Sequence, residues 1–385
     1  GMAMWLSMGD DFAILLFVDI HLKVMNKDTV TLGQPLKPNW GGQKSCQSRA
    51  VGLDFVRSVA ILFVIAGHFI SINTPFRQTV FEGVSMFLQG AAMPLFATGV
   101  PLFIMLTGYL NVNKTVSRRY YRGCIRVLVS YLLFSVLTIL FRRYWLHEEL
   151  SWVQWGLKIF DFSAIPYGWY IEMWIGLFLL APFLNLLYKA IPTKRQKHIL
   201  LLTIYLLTAV PDLFNRYGLY LVPGFWQMVY PLMFFFAGSY IREYRPQVAA
   251  WKLWAVIVVL CLINPVFNAV FVSGHTMISP SGGFAGVVGS VIAVAFFLLC
   301  YRVDFSSVLV RTVLMKVSML SLDMYLCCYM VDRLVYPWFL GRYFVDQSQF
   351  GAWFFVVVPV VFIGSFLIAW VKETISRLPS TIIKL

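Results

Sequence analysis

From Leu53 onward, apolar runs of about 20 residues alternate with short polar, basic connections, and no period-two alternation argues for strands. The pattern predicts ten membrane-crossing helices, near 53–73, 86–111, 121–141, 168–188, 199–214, 227–242, 252–272, 284–301, 315–336 and 353–372. The fifth and sixth are short for a hydrocarbon layer of roughly 30 Å. Pro94 and Pro101 flank a break in the second. The stretch Trp152–Ile165, between the third and fourth, reads as a segment that lies flat or re-enters. Ahead of the first run, Trp5–Ile20 is apolar but short and carries Asp10 and Asp11. It lacks a basic leader and a small-residue cleavage site, so it reads neither as a signal peptide nor as a span. Residues 1–52 are thus expected to form an N-terminal cytoplasmic extension, 53–375 a ten-helix membrane domain and 376–385 a short tail.

Composition agrees with a bilayer as solvent. The chain is 60% apolar with a mean hydropathy of +0.76 and is only 12% charged, against roughly 25% in a soluble domain. The net charge of +14 could suggest nucleic acid, but no basic helix or basic-and-aromatic patch stands on a soluble domain. The Lys and Arg sit at the ends of apolar runs instead. With ten spans, about three quarters of them fall on the side of the N-terminus, which the positive-inside rule makes cytoplasmic. Both termini are therefore expected in the cytoplasm. Trp145, Trp152, Trp169, Trp226, Trp251 and Trp338 at run ends suit interfacial belts. Five of the six cysteines lie in or against apolar stretches without metal spacing, and read as small core residues. Gly283, Gly286 and Gly289 follow no strand, so they read as close helix packing rather than a phosphate loop.

Ionisable residues inside spans cost kcal/mol to insert and so carry the most information. The first span, LDFVRSVAILFVIAGHF, holds three: Asp54, Arg57 and His68. Eleven positions at 100° each return His68 to within about 20° of Arg57, and Asp54 falls on the same face. A helix–helix hydrogen bond for His68 and a snorkelling cation for Arg57 are the plainer alternatives. Neutral imidazole in such a stripe suits a general base acting on a hydroxyl. Imidazole and guanidinium are then expected to share one protein-lined cavity. Arg118, Arg122 and Arg126 recur every four residues at the mouth of the third span and stack on one face. Topogenic charge would explain them. Arg126 nonetheless sits inside the apolar run, where a guanidinium would suit phosphates. Glu172, in the fourth span, is the expected carboxylate partner of the histidine, with an inter-span salt bridge as the alternative. The ninth span holds Asp323, with Asp332 and Arg333 at its exit. Asn264 and Asn268 read as packing residues. His147-Glu148-Glu149 completes no zinc motif, and no Walker loop or nucleophile elbow is present.

The block LDFVRSVAILFVIAGHF resembles the first-helix signature of the bacterial acyltransferase family 3 membrane proteins. GVPLFIMLTGYL, YYRGCIRVLVSYLLF, WYIEMWIGLFLLAPFLN, YPLMFFFAGSYIRE and SLDMYLCCYMVD follow in the family's order, so the resemblance covers about residues 53–372. It implies O-acylation, most often O-acetylation, of a glycan or similar hydroxyl acceptor from cytoplasmic acyl-CoA, in the cytoplasmic (inner) membrane. It makes His68 the catalytic histidine and Arg57 its companion. Arg122 and Arg126, with Arg119 beside them, become the arginines that engage the acyl donor, and no metal is implied. Two positions depart from the pattern. Many relatives carry a His just before the Trp of the fourth-span block, where this chain reads Tyr167-Gly168-Trp169, and Cys327 and Cys328 follow Tyr325-Leu326 where others carry a His. A transporter or lipid-linked-sugar flippase, with the same stripe lining a pathway, is the rival reading, as is a non-catalytic subunit. Transporters often show two related halves with matching helix breaks, and Pro94 and Pro101 have no clear counterpart.

Overall fold

The computed structural model describes residues 50–215, 220–272, 274–280, 282–340, 342–343 and 347–382. The expected N-terminal extension, up to position 49, lies outside these residues, with Lys23, Lys27, Lys37, Lys44 and Arg49. Arg216 and Lys384 also lie outside them. Everything described is helix or connection, and no β-strand occurs among the described residues beyond an isolated bridge between Val80 and Thr276.

In chain order the helices are α1 (Val51–Ser71), α2 (Gly83–Phe96), α3 (Gly99–Asn111), α4 (Arg118–Tyr144), α5 (Trp152–Phe160), α6 (Trp169–Ala190) and α7 (Lys194–Thr208). They continue with α8 (Val210–Phe214), α9 (Tyr230–Tyr244), α10 (Ala250–Phe271), α11 (Val287–Cys300), α12 (Val308–Phe339) and α13 (Gln347–Ile382). Among the described residues, eight segments are long and apolar enough to cross a membrane, with α2–α3 and α7–α8 each counting as one. The two remaining expected spans correspond to shorter helices, α9 and α11. The chain is a multi-pass membrane protein.

Several helices outrun the apolar windows expected for them, because a helix continues as long as its backbone is paired while hydropathy marks only the lipid-facing part. Ser117 caps α4 by accepting from the Tyr120 N–H at 3.2 Å, and Ser307 caps α12 from the Val310 N–H at 3.4 Å. Both helices therefore begin earlier than the hydropathy indicates. The expected break in the second span is real. Thr98 separates α2 from α3, and Gly99 lets the chain pass α1, since a Cβ there would lie 2.8 Å from the Ala60 carbonyl oxygen. The stretch expected to lie flat forms α5, a nine-residue helix with a Ser151–Gln154 capping box.

Exposed apolar side chains run the length of α4 (Ile125, Val129, Leu132, Val136) and α10 (Val258, Val259, Val266, Val270). In a bilayer these are the lipid-facing rows. The buried faces meet around α12, whose residues from Leu320 to Val331 are almost all inaccessible. The tightest helix pair is α3–α9. A Cβ on Gly108 would overlap the Phe235 carbonyl oxygen, and one on Gly238 the Met105 carbonyl oxygen. Across α4, α12 and α13, the Lys372 ammonium bonds Asp323 Oδ1 and Oδ2 at 3.0 and 2.9 Å and Ser130 Oγ at 2.8 Å. Asn268 carries out its expected packing role by bonding the backbone of Ile278 in both directions, at 2.7 and 2.8 Å. Cys327 and Cys328 are fully buried free thiols; Cys327 donates to the carbonyls of Met324 and, across to α13, Ser365, and Cys328 donates to that of Tyr325.

Candidate active site

Helix α1 turns both Arg57 and His68 toward α12. Arg57 donates from Nη1 to Ser318 Oγ at 3.5 Å. It lines a cavity of about 200 Å³ together with Thr107, Val127, Tyr170, Trp174, Ser321 and Tyr325. Three turns further along α1, the His68 ring lies against Tyr167, with centroids 4.0 Å apart. Its Nδ1 is 3.8 Å from Asp332 Oδ2. Asp332 is 1% exposed. It accepts from the Tyr167 hydroxyl and the Asn73 amide, both at 2.9 Å. His68 Nδ1, Asp332 Oδ1 and the Tyr336 hydroxyl are buried without hydrogen-bond partners among the described residues.

The periodicity argument holds in that Arg57 and His68 both face α12, at Ser318 and Asp332 respectively. The single shared cavity does not. His68 is absent from the walls of the Arg57 cavity, which include Tyr170 and Tyr325. Those rings are 5.4 Å apart, and the Tyr325 hydroxyl donates to the Tyr167 carbonyl. A layer of tyrosines therefore lies between cation and imidazole. The reason is the helical rise: eleven residues at 1.5 Å separate the two Cα atoms by about 16 Å.

Glu172 does not orient the histidine. It is exposed, and its carboxylate makes no hydrogen bond or ion pair among the described residues. Its neighbours Tyr170 and Ile171 take the buried face of α6, which turns position 172 outward. The carboxylate at His68 is Asp332. Arg119, Arg122 and Arg126 are exposed along α4 and have no partner among the described residues. None of them lines the Arg57 cavity, although Val127, next to Arg126, does. A stacked series connects the two regions. Tyr120 lies on Phe178 at 4.3 Å and Phe178 on Trp174 at 4.9 Å, and Trp174 is a wall of the cavity.

Asp332, Tyr167 and Asn73 are the site residues that sequence reasoning did not assign. An aspartate inside a long apolar helix was the available signal for Asp332. Asn73 follows α1 directly, and its amide reaches Asp332 only because the chain turns there.

Apolar helices long enough to cross a membrane, with an imidazole–carboxylate pair where α1 meets α12, define a helical membrane protein. Residues 51–370 match the family model described as an acyltransferase domain, and the chain belongs to acyltransferase family 3. Neither the curated proteins nor the solved structures compared with it include a match.

Proposed function

We propose that the chain moves an acyl group, most simply acetyl, from cytoplasmic acyl-CoA to a hydroxyl of a glycan or similar acceptor, in the cytoplasmic membrane. The observation that carries this reading is the His68 imidazole held beside the buried Asp332 carboxylate, in a chain of acyltransferase family 3. In the step envisaged, His68 takes the proton from the acceptor hydroxyl as its oxygen attacks the thioester carbonyl. The C–S bond then breaks, and the CoA sulfur leaves with the proton returned by the imidazolium. Asp332 would hold the imidazole and stabilise its charged form, while Tyr167 and Asn73 hold Asp332.

The tyrosine layer bears on the donor. A group held at Arg57 and a carbonyl attacked at His68 cannot belong to a small molecule, given about 16 Å between the two residues. Acyl-CoA, anionic at one end and reactive at the other, meets that requirement. Its phosphates would meet Arg119, Arg122 and Arg126, its pantetheine arm would follow Trp174 into the Arg57 cavity, and its thioester would pass the tyrosines. The charge asymmetry of the connections supports a cytoplasmic position for the arginine end.

The test is His68→Ala in purified, reconstituted protein given radiolabelled acetyl-CoA and an envelope fraction as acceptor. Loss of general-base catalysis predicts a fall of roughly 10²–10⁴-fold in acyl transfer. Wild-type turnover would remove His68 from the chemistry. Counterflow of a sugar substrate in vesicles without acyl-CoA would favour the transporter reading.

A further inference from the structure

At the far end of α4 from the exposed arginines, Arg142 is 12% exposed and almost fully engaged. Its Nε and Nη2 grip both oxygens of Glu148, at 3.0, 3.0 and 2.6 Å. Its Nη1 donates to the carbonyls of Ser163 and Ala164, both at 3.1 Å. Its guanidinium plane lies 5.0 Å from the buried Trp155 ring of α5. The two carbonyls belong to the turn between α5 and α6, which delivers Tyr167 to His68 three residues later. That turn is held to one shape. Phe162 adopts a left-handed conformation at φ 57°, Ala164 and Ile165 are wholly buried, and a Cβ on Gly168 would overlap the Phe162 carbonyl oxygen. Such a conformation persists only where the surroundings impose it.

The geometry points to Arg142 as a positioning residue for the catalytic site, acting through the 161–168 turn on Tyr167 and thereby on Asp332 and His68. The role rests on the acyltransferase reading for its kinetic consequence, though not for its structural one. Arg142 touches none of the reacting groups. What it supplies is a planar fork that meets a carboxylate and two carbonyls at once, which an ammonium cannot reproduce. Loss of the fork frees the two carbonyls, and the Tyr167 ring and hydroxyl shift together. A displacement near 1 Å at a reacting centre costs on the order of a hundredfold in rate.

The experiment compares Arg142→Lys, Tyr167→Phe and the double variant by two readouts. The first is steady-state transfer from radiolabelled acetyl-CoA. The second is the rate at which diethyl pyrocarbonate modifies His68, followed by peptide mass spectrometry. Arg142→Lys is expected to lower kcat by roughly tenfold to a hundredfold at unchanged donor KM, and to speed His68 modification. The double variant should be no slower than the worse single one, because both substitutions act on one chain of contacts. Wild-type kcat with wild-type modification would overturn the assignment. So would a loss shared equally by kcat and KM with additive double-variant losses, which marks general destabilisation. If Arg142→Lys does not yield folded protein, Glu148→Gln, which loses the two-oxygen grip, takes its place with the same expectations. If the wild-type protein transfers no acyl group, the function proposed above falls, and faster His68 modification in Arg142→Lys would still establish the positioning role.

Discussion

Replacing Asp332 by Asn removes one charge from a site whose packing can otherwise be kept. Tyr167 and Asn73 both donate to the same carboxylate oxygen, at 2.9 Å, and an asparagine can present its carbonyl oxygen there. What it cannot do is stabilise a protonated imidazole. Opposite unit charges 3.8 Å apart attract by about 4 kcal/mol at an effective dielectric near 20. At about 1.4 kcal/mol per decade this is close to 10³-fold in rate. A dielectric near 40 halves the energy and leaves about 40-fold. Asp332→Asn is therefore expected to lower kcat for transfer from radiolabelled acetyl-CoA by a factor between these limits, with donor KM little changed. Monodisperse elution in detergent would show that the fold survives. An unchanged kcat would refute the reasoning, since a carboxylate that stabilises imidazolium cannot be neutralised without effect.

Tyr167→Phe keeps the ring against His68 but removes the hydroxyl from Asp332, a hydrogen bond to a charged acceptor worth about 1.5–3 kcal/mol. Its initial rate of transfer should fall by at least about tenfold. Arg57→Ala is expected to raise the KM for acetyl-CoA more than it lowers kcat, measured in the same assay, because Arg57 lines a cavity remote from His68. Gly238→Ala drives a methyl into the Met105 carbonyl, and overpacking of this kind costs about 1–3 kcal/mol. It should lower the midpoint of thermal unfolding in detergent. Lys372→Met strands the buried Asp323 and should destabilise by about 3–5 kcal/mol, while the pair Asp323→Asn with Lys372→Met should be milder. The same thermal assay separates them.

The stripe on α1 was legible because ionisable residues stand out in an apolar run and helical periodicity assigns their face. Arg57 and His68 needed nothing more. Their separation by tyrosines was not legible. Periodicity gives an angle around the axis, and the aromatic layer comes from α6 and α12, whose approach to α1 no local pattern encodes. Asp332 was visible as a residue, but its pairing with His68 joins positions far apart in the chain, and the adjacent Arg333 suggested an ordinary helix exit. Glu172 attracted attention for its charge, yet lies one helical step off the buried face that Tyr170 and Ile171 occupy. Helix lengths were underestimated at α4 and α12 because Ser117 and Ser307 extend the helices beyond the hydropathic windows. The Pro94–Pro101 break, in contrast, was readable directly, since proline acts on its own backbone.

The bond from Lys372 to Asp323 and Ser130 has a consequence for biogenesis. Helix α12 enters the membrane carrying an acid whose counter-ion has not yet been translated, and α4 carries a hydroxyl awaiting the same ammonium. Only when α13 arrives is the charge neutralised, so the bundle closes late in synthesis. A chain that stalls before residue 372 leaves that carboxylate without its counter-ion, a state that costs several kcal/mol away from water.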